Sequence, residues 1–129
     1  MDKHKILIVD DDNDLRRALH IRLRSFGYET VFAIDGVSAI AMALKETPDL
    51  ILLDLGLPAG DGFVVLERLR KNTKLSCIPV IVLTAREARG NKEKALAGGC
   101  CAFLQKPVDN DDLLAAIQKA LSGSSALIG

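Results

Sequence analysis

Ile6-Leu7-Ile8-Val9-Asp10-Asp11-Asp12 is a continuous apolar run that ends in acids. No polar residue interrupts Ile6 to Val9, which is the pattern of a strand buried on both faces of a parallel sheet. Leu50-Ile51-Leu52-Leu53 repeats the pattern and ends in Asp54, and Val80-Ile81-Val82-Leu83 repeats it and stops at Thr84. Ala102-Phe103-Leu104-Gln105 is a shorter strand before Lys106-Pro107, and Tyr28 to Ala33 is β-prone. Helical periods fill the gaps. Leu15, Leu19, Leu23 and Phe26 recur at helical spacing, with Asp12 or Asn13 as N-cap and Gly27 as stop. Gly36 to Lys45 turns Ile40, Ala43 and Leu44 inward, and Phe63, Leu66 and Leu69 lead into Arg70. Glu87 to Ala97 is a weaker helix ending at Gly98-Gly99, and Leu113, Leu114, Ile117 and Leu121 form the last, capped by Asn110 or Asp109. Pro58, Gly60 and Gly62 mark a loop, within which Asp61-Gly62 is turn chemistry.

Five β-α units in alternation predict a three-layer α/β sandwich, a parallel sheet with helices on both faces. Right-handed crossovers make the flavodoxin-like strand order 2-1-3-4-5 the expected topology. The domain is expected over residues 1–121. Residues 122–129, with Ser122-Gly123-Ser124-Ser125, have the composition of a flexible tail or the start of a linker.

The 129 residues fit one domain, and 17 basic against 17 acidic residues give a formal net charge of zero. That balance argues against direct nucleic-acid binding, which needs surplus Lys and Arg. No apolar run approaches the roughly 18 to 20 residues of a membrane span. Met1-Asp2-Lys3-His4-Lys5 leads into only four apolar residues, so no secretory leader is expected and the predicted location is cytoplasmic. Cys77, Cys100 and Cys101 are odd in number and lack C-x-x-C spacing, which predicts idle thiols and not a disulfide framework or zinc site.

The polar residues that end the strands carry the chemistry. In an open parallel sheet, ligands bind at the carboxyl ends of strands where strand order reverses. Strands one and three flank that point, so Asp10, Asp11 and Asp54 should converge there, beside Thr84 and Lys106. Clustered carboxylates that lose hydration need a compensating cation. Mg²⁺ suits one or two carboxylates plus waters, and the Lys106 ammonium can hold the cluster without it. With a phosphoryl group present, Mg²⁺, Lys106 and the Thr84 hydroxyl would all stabilise its oxygens. Asp54, alone at its strand end, is the best-placed nucleophile.

These segments resemble the receiver domain of two-component response regulators over about residues 4 to 121. I-L-I-V-D-D-D is similar to that family's acid-pair strand, and L-I-L-L-D-L-G-L-P-A-G-D-G to its phosphoacceptor strand and loop. V-I-V-L-T-A and F-L-Q-K-P resemble its switch-threonine and Lys-Pro segments. The resemblance implies that Asp54 accepts a phosphoryl group from a histidine kinase or phosphotransfer protein and forms an acyl phosphate. It implies Mg²⁺ as cofactor, ligated by Asp11, Asp54 and the Gly56 backbone carbonyl, with Asp10 helping through water. Thr84 would move to the phosphoryl oxygen, Lys106 would pair with it, and Phe103 would turn inward with Thr84. Ala85 would leave room for the group, and Pro107 would follow a cis bond.

The resemblance further implies a signalling switch with slow self-dephosphorylation, not an enzyme acting on a separate substrate. It leaves room for an output domain beyond the C-terminus and for a phosphorylation-dependent homodimer, with no membrane partner. The chain departs from the family's usual pattern at Gly56, at Gly90-Asn91 and at Gly98-Gly99-Cys100-Cys101. The last changes the surface beside strand five, so no output partner carries over by analogy.

Other readings of the same residues are blander. Asp12 and Asp14 suit a helix cap and its dipole. Leu15 and Ala18 suit core packing or a partner surface equally. An EF-hand is excluded by Leu15 where its Gly belongs and Ile21 where its Glu belongs. A haloacid-dehalogenase-type phosphatase would use Asp10-x-Asp12, but Asp14 stands where that motif has Thr or Val. A receiver fold that never takes phosphate is argued against by the five matched polar positions, all of which are filled.

Overall fold

Alternation within each strand decides which helix layer each side chain meets. The computed structural model describes residues 3–57 and 62–126. Pro58, Gly60 and Asp61 lie outside the described residues. The elements run β1 (Lys5–Val9), α1 (Asn13–Ser25), β2 (Glu29–Ala33), α2 (Gly36–Glu46), β3 (Leu50–Leu53), α3 (Gly62–Lys71), β4 (Val80–Thr84), α4 (Ala88–Ala97), β5 (Ala102–Gln105) and α5 (Asn110–Ala126). The strands form one parallel sheet in the order β2-β1-β3-β4-β5, as the alternation predicted.

On one face Ile6, Ile8, Leu50, Leu52, Ile81 and Leu83 pack against Leu19 and Leu23 of α1 and Leu113 and Ile117 of α5. On the other, Leu7, Val9, Ile51, Leu53, Val80 and Val82 meet α2, α3 and α4 through Ala39, Ala43, Val65, Leu66, Leu69 and Ala95. β3 and β4 are buried along their whole length and β1 from Ile6 onward, whereas the edge strands β2 and β5 are partly exposed. Full burial of each large aliphatic chain is worth about 1.5 to 3 kcal/mol, so the three inner strands anchor the fold.

The structure chooses between the alternative caps. Asp12 accepts from the amides of Asp14 and Leu15 at the start of α1. Asp109, not Asn110, accepts from the Asp112 amide at the start of α5. Gly27, at φ 92°, follows α1 in the left-handed region. In α2 the buried stripe is Gly36, Ala39 and Ala43, while Leu44, expected to face inward, is 42% exposed. Leu44 lies one residue, about 100°, around the helix from Ala43. Leu15 is half-buried against the α1–α5 core and Ala18 is exposed.

Two local departures stand out. α4 loses helical geometry at Arg89 and Gly90, the latter at φ 78°, so its regular part begins late. α5 is helical through Ala126, although Ser122 to Ser125 had suggested a flexible tail from residue 122. The Ser122 hydroxyl donates to the carbonyls of Gln118 and Lys119, and extending an existing helix costs little per residue.

Gly62 is the tightest contact between this scaffold and the strand ends. Its N–H donates to the Leu55 carbonyl at 3.0 Å, and a Cβ there would lie 2.5 Å from both the Asp54 carbonyl oxygen and the Leu55 Cα. α3 therefore lies directly on the backbone that carries Asp54. Gly62→Ala is expected to cost about 1 to 3 kcal/mol by overpacking. Urea unfolding checks this, and a loss under about 0.5 kcal/mol, the scale of an ordinary surface substitution, would contradict the close approach.

Candidate functional site

The end of β1 is anchored first. The Asp10 amide donates to the Ala33 carbonyl of β2 at 3.1 Å, and Arg16 of α1 donates through Nη1 to the Asp10 carbonyl at 2.8 Å. Next door, the Asp54 amide donates to the Val9 carbonyl at 3.0 Å, which sets β3's last carboxylate beside the acid pair. β4 delivers Thr84 one strand further, and the Lys106 amide donates to the Thr84 carbonyl at 2.8 Å. Backbone ladders thus bring together residues far apart in sequence.

Asp10, Asp11 and Asp54 each offer a carboxylate oxygen within 4.8 Å of the others. Asp10 and Asp54 are buried, at 3% and 8% exposure, whereas Asp11 is open to solvent. Lys106 Nζ lies 2.7 Å from Asp10 Oδ2 and 3.7 Å from Asp54 Oδ2. Asp10 Oδ1 also accepts from the Asp12 amide at 2.9 Å, and Asp54 Oδ1 accepts from the Gly56 amide at 3.1 Å. Burial pushes the Asp10 carboxyl above the usual carboxylate range, while the Lys106 hydrogen bond and the Asp12 amide oppose the rise.

Thr84 is 1% exposed, and its Oγ1 accepts from the Arg86 amide at 3.3 Å. Phe103, opposite Val82, is half-buried against the core shared with α2, α3 and α4. Ala85 is exposed beside Thr84, and the Lys106–Pro107 bond is cis. Gly56 is exposed, and a Cβ there would meet only the Asp54 carboxylate oxygens, at an ordinary 3.7 Å.

Sequence reasoning missed Arg16 and Gly62. Arg16 carries no sequence signal beyond its place in the first turns of α1, and the signal for Gly62 was absorbed into turn chemistry. The cysteines are free thiols, Cys77 and Cys101 exposed and Cys100 buried. Burial pushes the Cys100 thiol up to about 11, so it remains protonated at neutral pH.

The donor set fits a hard divalent cation: three converging carboxylates, one open to water, with a lysine as internal counter-charge. The family model for the response regulator receiver domain matches residues 6–118. Among curated relatives, the chain is 39% identical over 117 residues to the DNA-binding dual master transcriptional regulator RpaA of Synechocystis, covering 91% of this chain and 48% of that protein. It is 40% identical over 114 residues to response regulator PleD of Caulobacter vibrioides, covering 88% and 25%. The chain thus spans half or less of these relatives' length. A CheY-like response regulator receiver domain protein from Methanospirillum hungatei superposes with TM-score 0.89 at 30% identity, over 97% of this chain and 98% of that one. The receiver domain of sensor histidine kinase PA1611 from Pseudomonas aeruginosa, solved with magnesium coordinated in its active-site cleft, gives 0.86 at 30% identity, over 94% and 99%. No helix among the described residues is long and apolar enough to cross a membrane.

Lys106→Met removes the cation that faces two buried carboxylates. The variant is expected to lose about 3 kcal/mol at neutral pH without divalent cations, as when one partner of a buried pair is deleted. Without Lys106 the folded-state pKa of Asp10 rises further above its unfolded value. The deficit is therefore full above that raised pKa and shrinks as pH falls towards the ordinary carboxylate range. Urea unfolding at neutral and mildly acidic pH measures it, and a deficit that grows on acidification would contradict the geometry.

Proposed function

The chain belongs to the response regulator receiver domain family, and on that premise we propose that it is a phosphoacceptor switch in which Asp54 takes a phosphoryl group in a Mg²⁺-dependent reaction. The donor is a phosphohistidine on a histidine kinase or phosphotransfer protein. The observation that carries this reading is the convergence of Asp10, Asp11 and Asp54, with Lys106 set against Asp10 and Asp54.

Asp54 is the nucleophile because the other two acids are engaged differently. Asp10 holds the shorter contact to Lys106 and the amide of Asp12, and Asp11 is exposed. A carboxylate oxygen of Asp54 attacks phosphorus as the bond from phosphorus to imidazole nitrogen breaks, and the nitrogen keeps that electron pair. The product is an acyl phosphate on Asp54 and a free histidine. Asp11, Asp54 and the Gly56 carbonyl would hold the cation, with Asp10 helping through water. Bound Mg²⁺ supplies charge neutralisation for the phosphoryl oxygens and relieves the repulsion among the acids.

Lys106 pairs with a phosphoryl oxygen, and the Thr84 hydroxyl donates to another. The phosphoryl group, carrying about −1.5 to −2 in place of the single carboxylate charge, draws Thr84 inward and Phe103 follows into the space it leaves. That displacement biases the surface around α4, β5 and α5 towards a second arrangement. Water attacks phosphorus slowly, the bond from phosphorus to the Asp54 oxygen breaks, and inorganic phosphate leaves with the carboxylate restored, so the domain is a timed switch without a separate substrate. The greater length of the relatives supports a role joined to an output domain. Phosphorylation-dependent homodimerisation and a cytoplasmic setting complete the proposal.

Intact mass after incubation with acetyl phosphate tests the proposal. One phosphoryl group is expected on the native chain, only with Mg²⁺, and none on Asp54→Asn. No gain under any condition would favour an interaction module that never takes phosphate. A gain retained by Asp54→Asn would move the chemistry to another aspartate.

A further inference from the structure

A zero net charge conceals a segregation. Carboxylates gather at Asp10, Asp11 and Asp54, while cations gather along a groove between α3 and α4. The groove encloses about 540 Å³, with the half-buried Phe63 and the exposed Ala97 as its apolar floor over the buried Leu66, and Arg70, Lys71 and Lys94 around it. That is the volume of a site that seats a ligand or a short peptide segment. Among the described lining residues Glu67 is the one acid, and it is bound to Lys71 at 2.7 Å. Arg70 and Lys94 therefore set the sign of the groove.

The local sequence keeps it open. A Cβ at Gly98 would lie 2.9 Å from Leu66 Cδ2, and one at Gly99 would lie 2.4 Å from Arg70 Cδ. Gly99 is also at φ 106°, where side chains are disfavoured. The paired glycines thus let Arg70 lie across the end of α4, where Nη1 donates to the Ala97 carbonyl at 3.0 Å. Guanidinium has five donors, so this bond leaves others for a ligand. Lys94 Nζ stands 4.1 Å from the centre of the Phe63 ring, a cation held over an aromatic face instead of against a carboxylate.

We infer that the α3–α4 groove binds an acidic peptide segment of a partner protein, with one apolar side chain against Phe63 and Ala97 and carboxylates on Arg70 and Lys94. Charge complementarity selects the occupant. A basic or neutral segment would leave both cations unpaired, and a small inorganic anion would leave the apolar floor uncovered. The inference does not depend on the chemistry of Asp54.

The test is a titration of the isotope-labelled native chain with an end-blocked peptide of alternating Glu and Leu, followed by amide chemical shifts. Shifts should concentrate between Phe63 and Lys71 and between Lys94 and Gly99. Affinity should fall at least tenfold in Lys94→Glu and in Arg70→Gln, and with salt raised to about 0.5 M. Lys94 is exposed, so Lys94→Glu keeps the test valid if Arg70→Gln loosens the end of α4. Asp54→Asn should bind the peptide as the native chain does. Equal binding of a Lys and Leu peptide, shifts centred on other elements, or indifference to Lys94→Glu would overturn the proposal. So would groove shifts produced by concentrating the chain alone, which would assign the groove to a second copy, or equal shifts from inorganic phosphate.

Discussion

The ammonium of Lys106 stands between two carboxylates that the sheet buries side by side, and the site depends on that one contact. Two unit charges within 4.8 Å repel by roughly 3.5 kcal/mol or more at an effective dielectric constant of about 20. The ammonium, at 2.7 and 3.7 Å, attracts both acids, and the two attractions together outweigh the single repulsion at any non-bonded separation of the carboxylates. Asp11 adds a third negative charge but stays in water, where it is screened. The balance holds the acids together while leaving a position for a stronger cation.

The topology makes this arrangement affordable. β1 and β3 are adjacent and buried on both faces, so their carboxyl ends are fixed by the hydrophobic layers and not by the polar groups they carry. The stress of packing charges is borne by the core. Gly62 closes α3 onto the Asp54–Leu55 backbone, Arg16 ties α1 to the Asp10 carbonyl, and the Thr84 carbonyl receives the Lys106 amide. Each polar group at the site is therefore held by an element whose own packing is apolar. Under the proposed phosphorylation, a change in charge at Asp54 would act on a frame fixed by apolar packing.

Much of this was legible in the sequence because parallel strands buried on both faces advertise themselves. Ile6 to Val9, Leu50 to Leu53 and Val80 to Leu83 are uninterrupted apolar runs, and the polar residue ending each run marks the crevice. Strand order then placed Asp10, Asp11 and Asp54 together. Contacts made by backbone or by absence of a side chain were not legible. Arg16 reaches a carbonyl, which no residue pattern records, and the need for glycine at position 62 arises from a helix docking on a distant strand end. Leu44 was misplaced because apolar identity is weaker evidence than angular position on a helix whose buried stripe is narrow. The groove between α3 and α4 was invisible for the same reason, since Arg70 and Gly99 meet only in three dimensions.

The most direct measurement of the central claim is chemical trapping of the acyl phosphate. Native chain treated with acetyl phosphate and Mg²⁺, then with hydroxylamine, should carry a hydroxamate that peptide sequencing by mass spectrometry places at Asp54 and at no other aspartate. A hydroxamate at Asp10 or Asp11 would contradict the assignment of roles within the cluster, and none anywhere would contradict the phosphoacceptor account itself.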